Sequence, residues 1–169
     1  MLNRLATSSA KELLGMSRAF VKEQDVNSLE DLPDRQISEF PNDVTLNGMA
    51  QIEAALAAAR EGYALAQASS DPASIAAAGR EVRYWSSRRA SARVLPSPVD
   101  ISEVRFGTTV TIVRDDGREQ TLRIVGEDEA DPAKGSISHA SPLARSMFGK
   151  GVGDVVKAGH DDAEITFIR

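Results

Sequence analysis

Residues 46–95 contain two apolar stripes separated by a short turn, and this pattern limits the possible folds more than any other feature of the chain. In each stripe the apolar residues recur at alternating steps of three and four, which places them on one face of a helix. The first stripe consists of Met49, Ile52, Leu56, Ala59, Tyr63 and Ala66. The second consists of Ile75, Ala78, Val82, Trp85 and Ala92, with Arg89 at one position of the stripe. Neither helix can bury its stripe alone, so the sequence predicts an antiparallel helical hairpin.

Capping residues set the expected ends of the two helices. Asn47 is a suitable N-cap for the first helix. Ser70 or Asp71 can cap the second helix, and Pro72 suits its first position. The hairpin is expected to end before the Pro-Ser-Pro sequence at 96–98, which forms a stiff linker.

Residues 104–169 have a different pattern, made of short runs that are β-branched or alternate in polarity. Strands are predicted at 104–106, 108–114, 120–126 and 164–169. A hairpin turn is predicted at 115–117, where Gly117 allows a positive φ. One short helix is predicted at 142–148, with Ser141 as its N-cap and Gly149 at its end. The expected fold class is therefore α+β, a helical hairpin followed by a small antiparallel sheet with one short helix.

The first 45 residues are polar and show no sustained apolar period. Residues 1–15 are interpreted as an extension upstream of a more usual start at Met16. Residues 16–45 are broken by Pro33 and Pro41 and are expected to form an extended, mobile arm. The predicted parts of the chain are thus an extension with a leader, a hairpin, a linker and an α+β domain, at residues 1–45, 46–95, 96–103 and 104–169.

The composition excludes several classes of function. The net charge is −5 over 169 residues, so the whole molecule does not bind nucleic acid by bulk charge, and any such contact needs a local basic patch. The chain has no cysteine, which excludes disulfides, thiolate metal sites and thiol nucleophiles. No apolar run approaches the ~20 residues of a membrane helix. We therefore expect a cytoplasmic protein that does not associate with membranes.

Three patterns that could indicate a catalytic or ligand-binding site have simpler interpretations. His139 and His160 lie in turn-like segments without ligand partners at a suitable spacing, so both are expected to be solvated loop residues. The glycines at 149, 151 and 153 fit turns better than a phosphate-binding loop. The acidic run at 127–131, Glu-Asp-Glu-Ala-Asp, is compatible with a site for a hard cation or with a solvated loop.

Several short motifs of the C-terminal segment occur in the order and spacing of one known family. They are Phe-Gly-Thr-Thr-Val at 106–110, Asp-Gly at 116–117, Ile-Val-Gly-Glu-Asp-Glu-Ala-Asp at 124–131, Ile-Ser-His-Ala-Ser-Pro-Leu-Ala-Arg at 137–145 and Gly-Lys-Gly-Val-Gly-Asp at 149–154. Over residues 104–169 the chain closely resembles the C-terminal domain of the GreA and GreB transcription factors. The hairpin resembles the same family more loosely, through Val-Thr-Leu-Asn-Gly at 44–48 and Val-Arg-Tyr at 82–84.

This resemblance implies a fold, a partner and a binding loop. It implies an FKBP-like C-terminal domain without isomerase function, and a hairpin that enters the secondary channel of RNA polymerase. Ala140, Ser141 and Pro142 would form the loop that contacts the polymerase. The chain is then expected to be a monomeric elongation factor and not an enzyme. It would need no cofactor of its own, apart from a Mg²⁺ ion shared at the active site of the polymerase, which cleaves its own backtracked RNA.

The tip of the hairpin departs from the family pattern. The resemblance calls for two acidic residues there, but only Asp71 stands near the first position, and Ser74 falls where the second is expected. An N-cap role for Asp71 is the alternative. Both arms are also shorter than in the family by roughly 12 Å at 1.5 Å per residue. These departures favour a protein that occupies the channel without stimulating cleavage, like the Rnk-like and Gfh-like relatives of the family.

The second predicted helix carries a local excess of arginines. In the family a basic patch on the hairpin contacts the RNA, which makes Arg80, Arg83 and Arg88 candidates for contact with nascent RNA here. The alternative is a solvated helix face on which arginines pair with Glu53 and Glu61, and the sequence leaves both possibilities open.

A function of another class is peptidyl-prolyl isomerisation by the FKBP-like sheet. Such enzymes hold the prolyl ring in an aromatic pocket, and the C-terminal segment offers only Phe106, Phe148 and Phe167. This scarcity argues against the isomerase.

Overall fold

The predicted hairpin is present in the computed structural model, which describes residues 33–169. Helix α1 spans Leu46–Ser69 and helix α2 spans Pro72–Ser91. At 1.5 Å per residue α1 is about 36 Å long. Ile52 and Leu56 of the first apolar stripe are buried at the base of the hairpin, and the stripe residues nearer the tip are half-buried.

The turn of the hairpin was predicted correctly, whereas the start of α1 was not. Asp71 caps α2, Pro72 is the first residue of that helix, and Ser70 adopts the left-handed conformation with φ 57°. Thr45, not Asn47, is the N-cap of α1, because the Thr45 hydroxyl accepts a hydrogen bond from the Gly48 amide at 2.9 Å. The helix has already begun at Leu46, so Asn47 lies in its first turn.

Two short strands join the base of the hairpin. Strand β1 (Asp43–Val44) and strand β2 (Arg93–Val94) pair in parallel, with the Arg93 amide donating to Asn42 O at 2.9 Å and the Leu95 amide to Val44 O at 3.0 Å. The sequence assigned β1 to the leader and β2 to the hairpin. Neither strand was predicted, because strands of two residues are too short to produce an alternating pattern.

The leader before β1 has no regular secondary structure where it is described, at residues 33–42. It nevertheless contacts the hairpin, and its Phe40 ring lies 5.4 Å from the Arg145 guanidinium of the C-terminal half. The Asp34 carboxylate pairs with Arg83 at 2.7 Å, and the Arg35 guanidinium lies 3.6 Å from the centre of the Tyr84 ring. The expected mobility of residues 16–32, like the interpretation of residues 1–15, concerns residues outside the described range.

A five-stranded mixed sheet forms the C-terminal half. Its strands are β3 (Thr109–Arg114), β4 (Glu119–Val125), β5 (Ser136–Ser138), β6 (Val155–Ala158) and β7 (Asp161–Ile168), in the order β5-β4-β3-β7-β6. Neighbouring strands are antiparallel except β4 and β5, which are parallel. Helix α3 (Pro142–Met147) is capped by Ser141 as predicted.

The predicted strands at 108–114, 120–126 and 164–169 correspond to β3, β4 and β7, while the one at 104–106 does not form. The Val104 backbone bonds instead to Lys150 O and the Gly149 amide. Strands β5 and β6 were missed, since their three and four residues are too few to show a period.

One face of the sheet and helix α3 enclose the hydrophobic core. Val110, Ile112, Ile124, Ala144 and Ile165 are completely buried there. Within residues 33–169, no helix has the length and apolar character needed to cross a membrane.

Candidate functional site

The acidic run after β4 joins the sheet domain to the base of the hairpin. Arg88 of α2 is only 2% exposed, and its Nε donates to Asp128 Oδ2 at 2.5 Å. The Tyr84 hydroxyl donates to Asp128 Oδ1 at 2.8 Å, and Glu127 lies 3.6 Å from the Arg88 guanidinium. Burial and then the hydrogen bond to Asp128 raise the pKa of Tyr84. A buried arginine with carboxylate partners in a second domain fixes the relative position of the two domains.

Glu129 binds the start of α1 in the same way. Its Oε2 accepts a hydrogen bond from the Thr45 hydroxyl at 2.6 Å, and its Oε1 accepts one from the Asn47 side chain at 2.9 Å. Gly48 lies against this carboxylate, because a Cβ there would come within 2.6 Å of Glu129 Oε2. The acidic run thus holds α1 through Glu129 and α2 through Asp128.

Neither interpretation of the acidic run from the sequence was correct. The carboxylates of Glu127, Asp128 and Glu129 are engaged by side chains of the hairpin and are at most half-exposed. They are therefore neither a solvated loop nor a free set of ligands for a cation. Throughout residues 33–169, no cluster of three or more His, Cys, Asp or Glu residues is arranged to hold a metal ion.

The arginines of α2 differ in how accessible they are for contact with a nucleic acid. Arg88 is buried, so its candidacy for RNA contact is wrong. Arg83 is exposed and pairs with Asp34, while Arg80 is half-buried. Arg89 pairs with Glu53 at 2.9 Å, as one of the two interpretations predicted. Only Arg80 and Arg83 remain candidates for contact with nucleic acid.

The hairpin tip presents one carboxylate, that of Asp71, and the nearby Ser74 donates hydrogen bonds to it. Asp71 Oδ2 accepts hydrogen bonds from the Ser74 amide at 3.1 Å and from the Ser74 hydroxyl at 2.5 Å. The bond from the Ser74 hydroxyl, followed by that from its amide, lowers the pKa of Asp71. Ser74, where the resemblance calls for a second acid, is thus a donor to the first. The arrangement is that of a helix N-cap.

The predicted docking loop lies at the start of α3. The Ser141 hydroxyl accepts from the Ala144 amide at 3.2 Å, and the Ala140 amide donates to Ser138 Oγ at 3.0 Å. Ala140 and Ser141 are half-buried, and Pro142 is exposed. Internal hydrogen bonds therefore fix the backbone of the loop and leave the Pro142 ring facing solvent.

The two histidines have different environments. His139 was expected to be solvated but is 9% exposed, and its ring lies edge-on to Phe106 with the centroids 5.7 Å apart. Its backbone amide donates to Val125 O at 2.9 Å, and this hydrogen bond holds the residue against the end of β4. His160 is exposed in the turn between β6 and β7, as predicted.

The three aromatic residues considered for an isomerase do not form one pocket. Phe106 packs on His139, whereas Phe148 at the end of α3 and Phe167 on β7 are 37% and 54% exposed. This arrangement gives the isomerase no support.

Comparison with known proteins shows that the C-terminal half is similar to one family. Residues 99–167 match the model described as transcription elongation factor, GreA/GreB, C-term. GreB of Neisseria meningitidis serogroup B is 41% identical over 92 residues, which are 51% of this chain and 56% of that protein. GreA of Hyphomonas neptunium is 59% identical over 54 residues, which are 31% of this chain and 34% of that protein. The crystal structure of GreA factor homolog 1 (Gfh1) of Thermus thermophilus covers 77% of this chain and 99% of its own, at 20% identity and a TM-score of 0.38.

These matches are confined to part of the chain. Residues 99–167 are similar to the C-terminal domain of the GreA/GreB transcription elongation factors. The resemblance found in the sequence is thereby confirmed, and the matching family is one of transcription factors and not of enzymes, as expected. The chain aligns with about a third to just over half of the length of the curated relatives it matches.

Proposed function

We propose that this protein binds RNA polymerase and modulates elongation through the secondary channel. The observation that carries the proposal is the docking loop, Ala140 to Pro142, on a GreA/GreB C-terminal domain. Its backbone is fixed by internal hydrogen bonds and its proline is exposed. Such a preorganised surface binds a partner with little loss of conformational entropy.

The junction between the domains supports this function mechanically. A hairpin that enters a channel must keep its direction relative to the surface that docks at the rim. The buried Arg88–Asp128 pair and the Thr45–Glu129 bond hold both helices to the sheet domain at the base of the hairpin. The hairpin and the docking loop would therefore approach the polymerase as one unit.

The tip favours a channel occupant that does not stimulate RNA cleavage. A Mg²⁺ ion shared with the polymerase needs well-placed oxygen ligands. The tip offers the single carboxylate of Asp71, and Ser74 already donates two hydrogen bonds to one of its oxygens. The residues at this tip do not fit a shared ion. Contact of Arg80 and Arg83 with nascent RNA is an additional part of the proposal.

Replacing Pro142 by aspartate tests the docking loop. We expect the Pro142→Asp protein to lose most of its polymerase binding in a pull-down assay, because the change places an unpaired charge in the contact. Pro132→Asp is the matched control, since Pro132 is also exposed and also begins a short helical turn behind a capping side chain. Equal recovery of polymerase by a folded Pro142→Asp protein and by the control would contradict the docking assignment.

A transcript-cleavage assay tests the role of the tip. We expect the wild-type protein to release little or no RNA from a backtracked complex, and Asp71→Ala to behave in the same way. We also expect the wild-type protein to inhibit cleavage by a true Gre factor as its concentration rises. Strong cleavage by the wild type that is lost in Asp71→Ala would show that the tip carboxylate acts on the metal after all.

A further inference from the structure

Phe40 of the leader is an exposed aromatic residue beside helix α3. The residue is 42% exposed, and its ring lies 5.4 Å from the Arg145 guanidinium. A single exposed apolar side chain is common on protein surfaces and by itself indicates nothing. Phe40 differs from such a case because its neighbour is the helix that begins at the docking loop.

Arg145 connects Phe40 to the docking loop. It lies three residues after Pro142, and helical residues at this spacing are neighbours on one face. Both residues are exposed. Pro142, Arg145 and Phe40 therefore form one exposed surface, to which the sheet domain contributes two residues and the leader contributes the aromatic ring.

The leader is attached to α2 on both sides of Phe40. On the N-terminal side, the Arg35 guanidinium lies 3.6 Å from the centre of the Tyr84 ring. On the C-terminal side, the buried Asn42 side chain donates a hydrogen bond to Arg88 O at 2.7 Å. Because both flanks are held, a partner that contacts Phe40 orders little additional chain, and the entropic cost of binding is small.

The chemistry of this surface suits a protein partner. Aromatic residues and arginine are enriched at the centres of protein–protein contacts, where a few such side chains contribute most of the binding free energy. The exposed guanidinium of Arg145 can pair with a carboxylate in a fixed geometry. The surface therefore fits an apolar patch with an acidic group at its edge. Its continuity with the docking loop points to the same partner for both.

We infer that Phe40 and Arg145 extend the docking surface for RNA polymerase, so that the leader takes part in binding. The ring packs on an apolar patch of the polymerase, and the guanidinium pairs with a carboxylate beside that patch. This role of Phe40 rests on the proposed function and adds to it a contact made from outside the sheet domain. The docking loop alone would be an incomplete surface.

The affinity of the full-length protein for purified RNA polymerase tests the role of Phe40. We expect Phe40→Ser to raise the dissociation constant about tenfold, as loss of a central aromatic contact does. Phe40→Tyr keeps the aromatic face and should bind like the wild type. Ile37→Ser is the matched control, since Ile37 is 44% exposed in the same leader but lies two residues after Arg35, at the α2 end.

The outcomes separate this role from the proposed function. Equal affinity of the folded Phe40→Ser and Ile37→Ser proteins would overturn the role of Phe40, and a loss of binding in Pro142→Asp alone would leave the proposed function standing. If the wild-type protein did not bind polymerase at all, the proposed function would fail and the role of Phe40 with it.

Photo-cross-linking identifies the partner of Phe40 directly. A photoreactive phenylalanine analogue in place of Phe40 should cross-link to a polymerase subunit in the complex. The same analogue in place of Ile37 should do so much less. Cross-links from position 40 to a second copy of this protein or to nucleic acid, with none to polymerase, would also overturn the assignment.

Discussion

Replacing Arg88 by alanine is expected to lower the free energy of unfolding by about 3–5 kcal/mol, because removal of one partner leaves a buried charge uncompensated. Asp128 would keep only the hydrogen bond from Tyr84, and Glu127 would lose its nearest cation. The loss should be visible as a lower midpoint in urea unfolding followed by circular dichroism. Hydrogen exchange should also rise at the base of α2 and in residues 127–129.

Arg89→Ala is the control for this prediction. Arg89 is the next residue on the same helix and also pairs with a glutamate, but that pair is about half exposed. Exposed ion pairs contribute about 0–1 kcal/mol, so the urea midpoint should hardly change. If the Arg88 and Arg89 variants lost the same small amount of stability, the Arg88–Asp128 pair would not be what fixes the junction.

Gly126→Ala is expected to destabilise the protein by about 1–3 kcal/mol, as insertion of a methyl group into a packed site usually does. Gly126 follows β4 and lies against β1, where a Cβ would come within 2.8 Å of Asp43 O and 3.5 Å of the Val44 Cα. Both contacts are backbone atoms of β1, a strand that pairs with β2, and they cannot turn aside as a flexible side chain would. The sheet domain and the base of the hairpin would have to separate slightly.

Gly62→Ala should act in the opposite direction. Gly62 lies in the interior of α1, and a Cβ there would meet nothing within 4 Å. Alanine is favoured over glycine in a helix by about 0.5–1 kcal/mol, so thermal unfolding should shift to a higher temperature. Destabilisation of equal size by both alanine variants would show that the close approach at Gly126 is not the cause.

The sequence predicted the parts of this fold whose determinants are close together along the chain. The apolar stripes predicted both helices, because residues three and four apart share one helix face. Asp71 and Pro72 marked the turn between them, and Ser141 marked the start of α3. Of the candidate site, the docking loop was found through its motif, and its role in binding remains a prediction.

The junction was not predicted, although one weak signal was present. Arg88 lies three residues after Trp85 and four before Ala92, so it fits the spacing of the second apolar stripe as well as Arg89 does. A charged residue at a buried helix position needs a partner, and an acidic run was available after β4. Nothing in the sequence connected the two, because 40 residues separate Arg88 from Asp128 and 84 separate Thr45 from Glu129.

By itself, the sequence determined the three helices, the strands β3, β4 and β7, where the hairpin turns, and the similarity of the C-terminal half to the GreA/GreB C-terminal domain. Only the tertiary structure decided that Arg88 is buried, that Thr45 begins α1, and that the acidic run binds the hairpin. The physical reason is that periodicity reports which face of an element is buried but not what covers it. A polar contact between distant segments forms only after both domains have folded and met, and it leaves no local pattern in the chain.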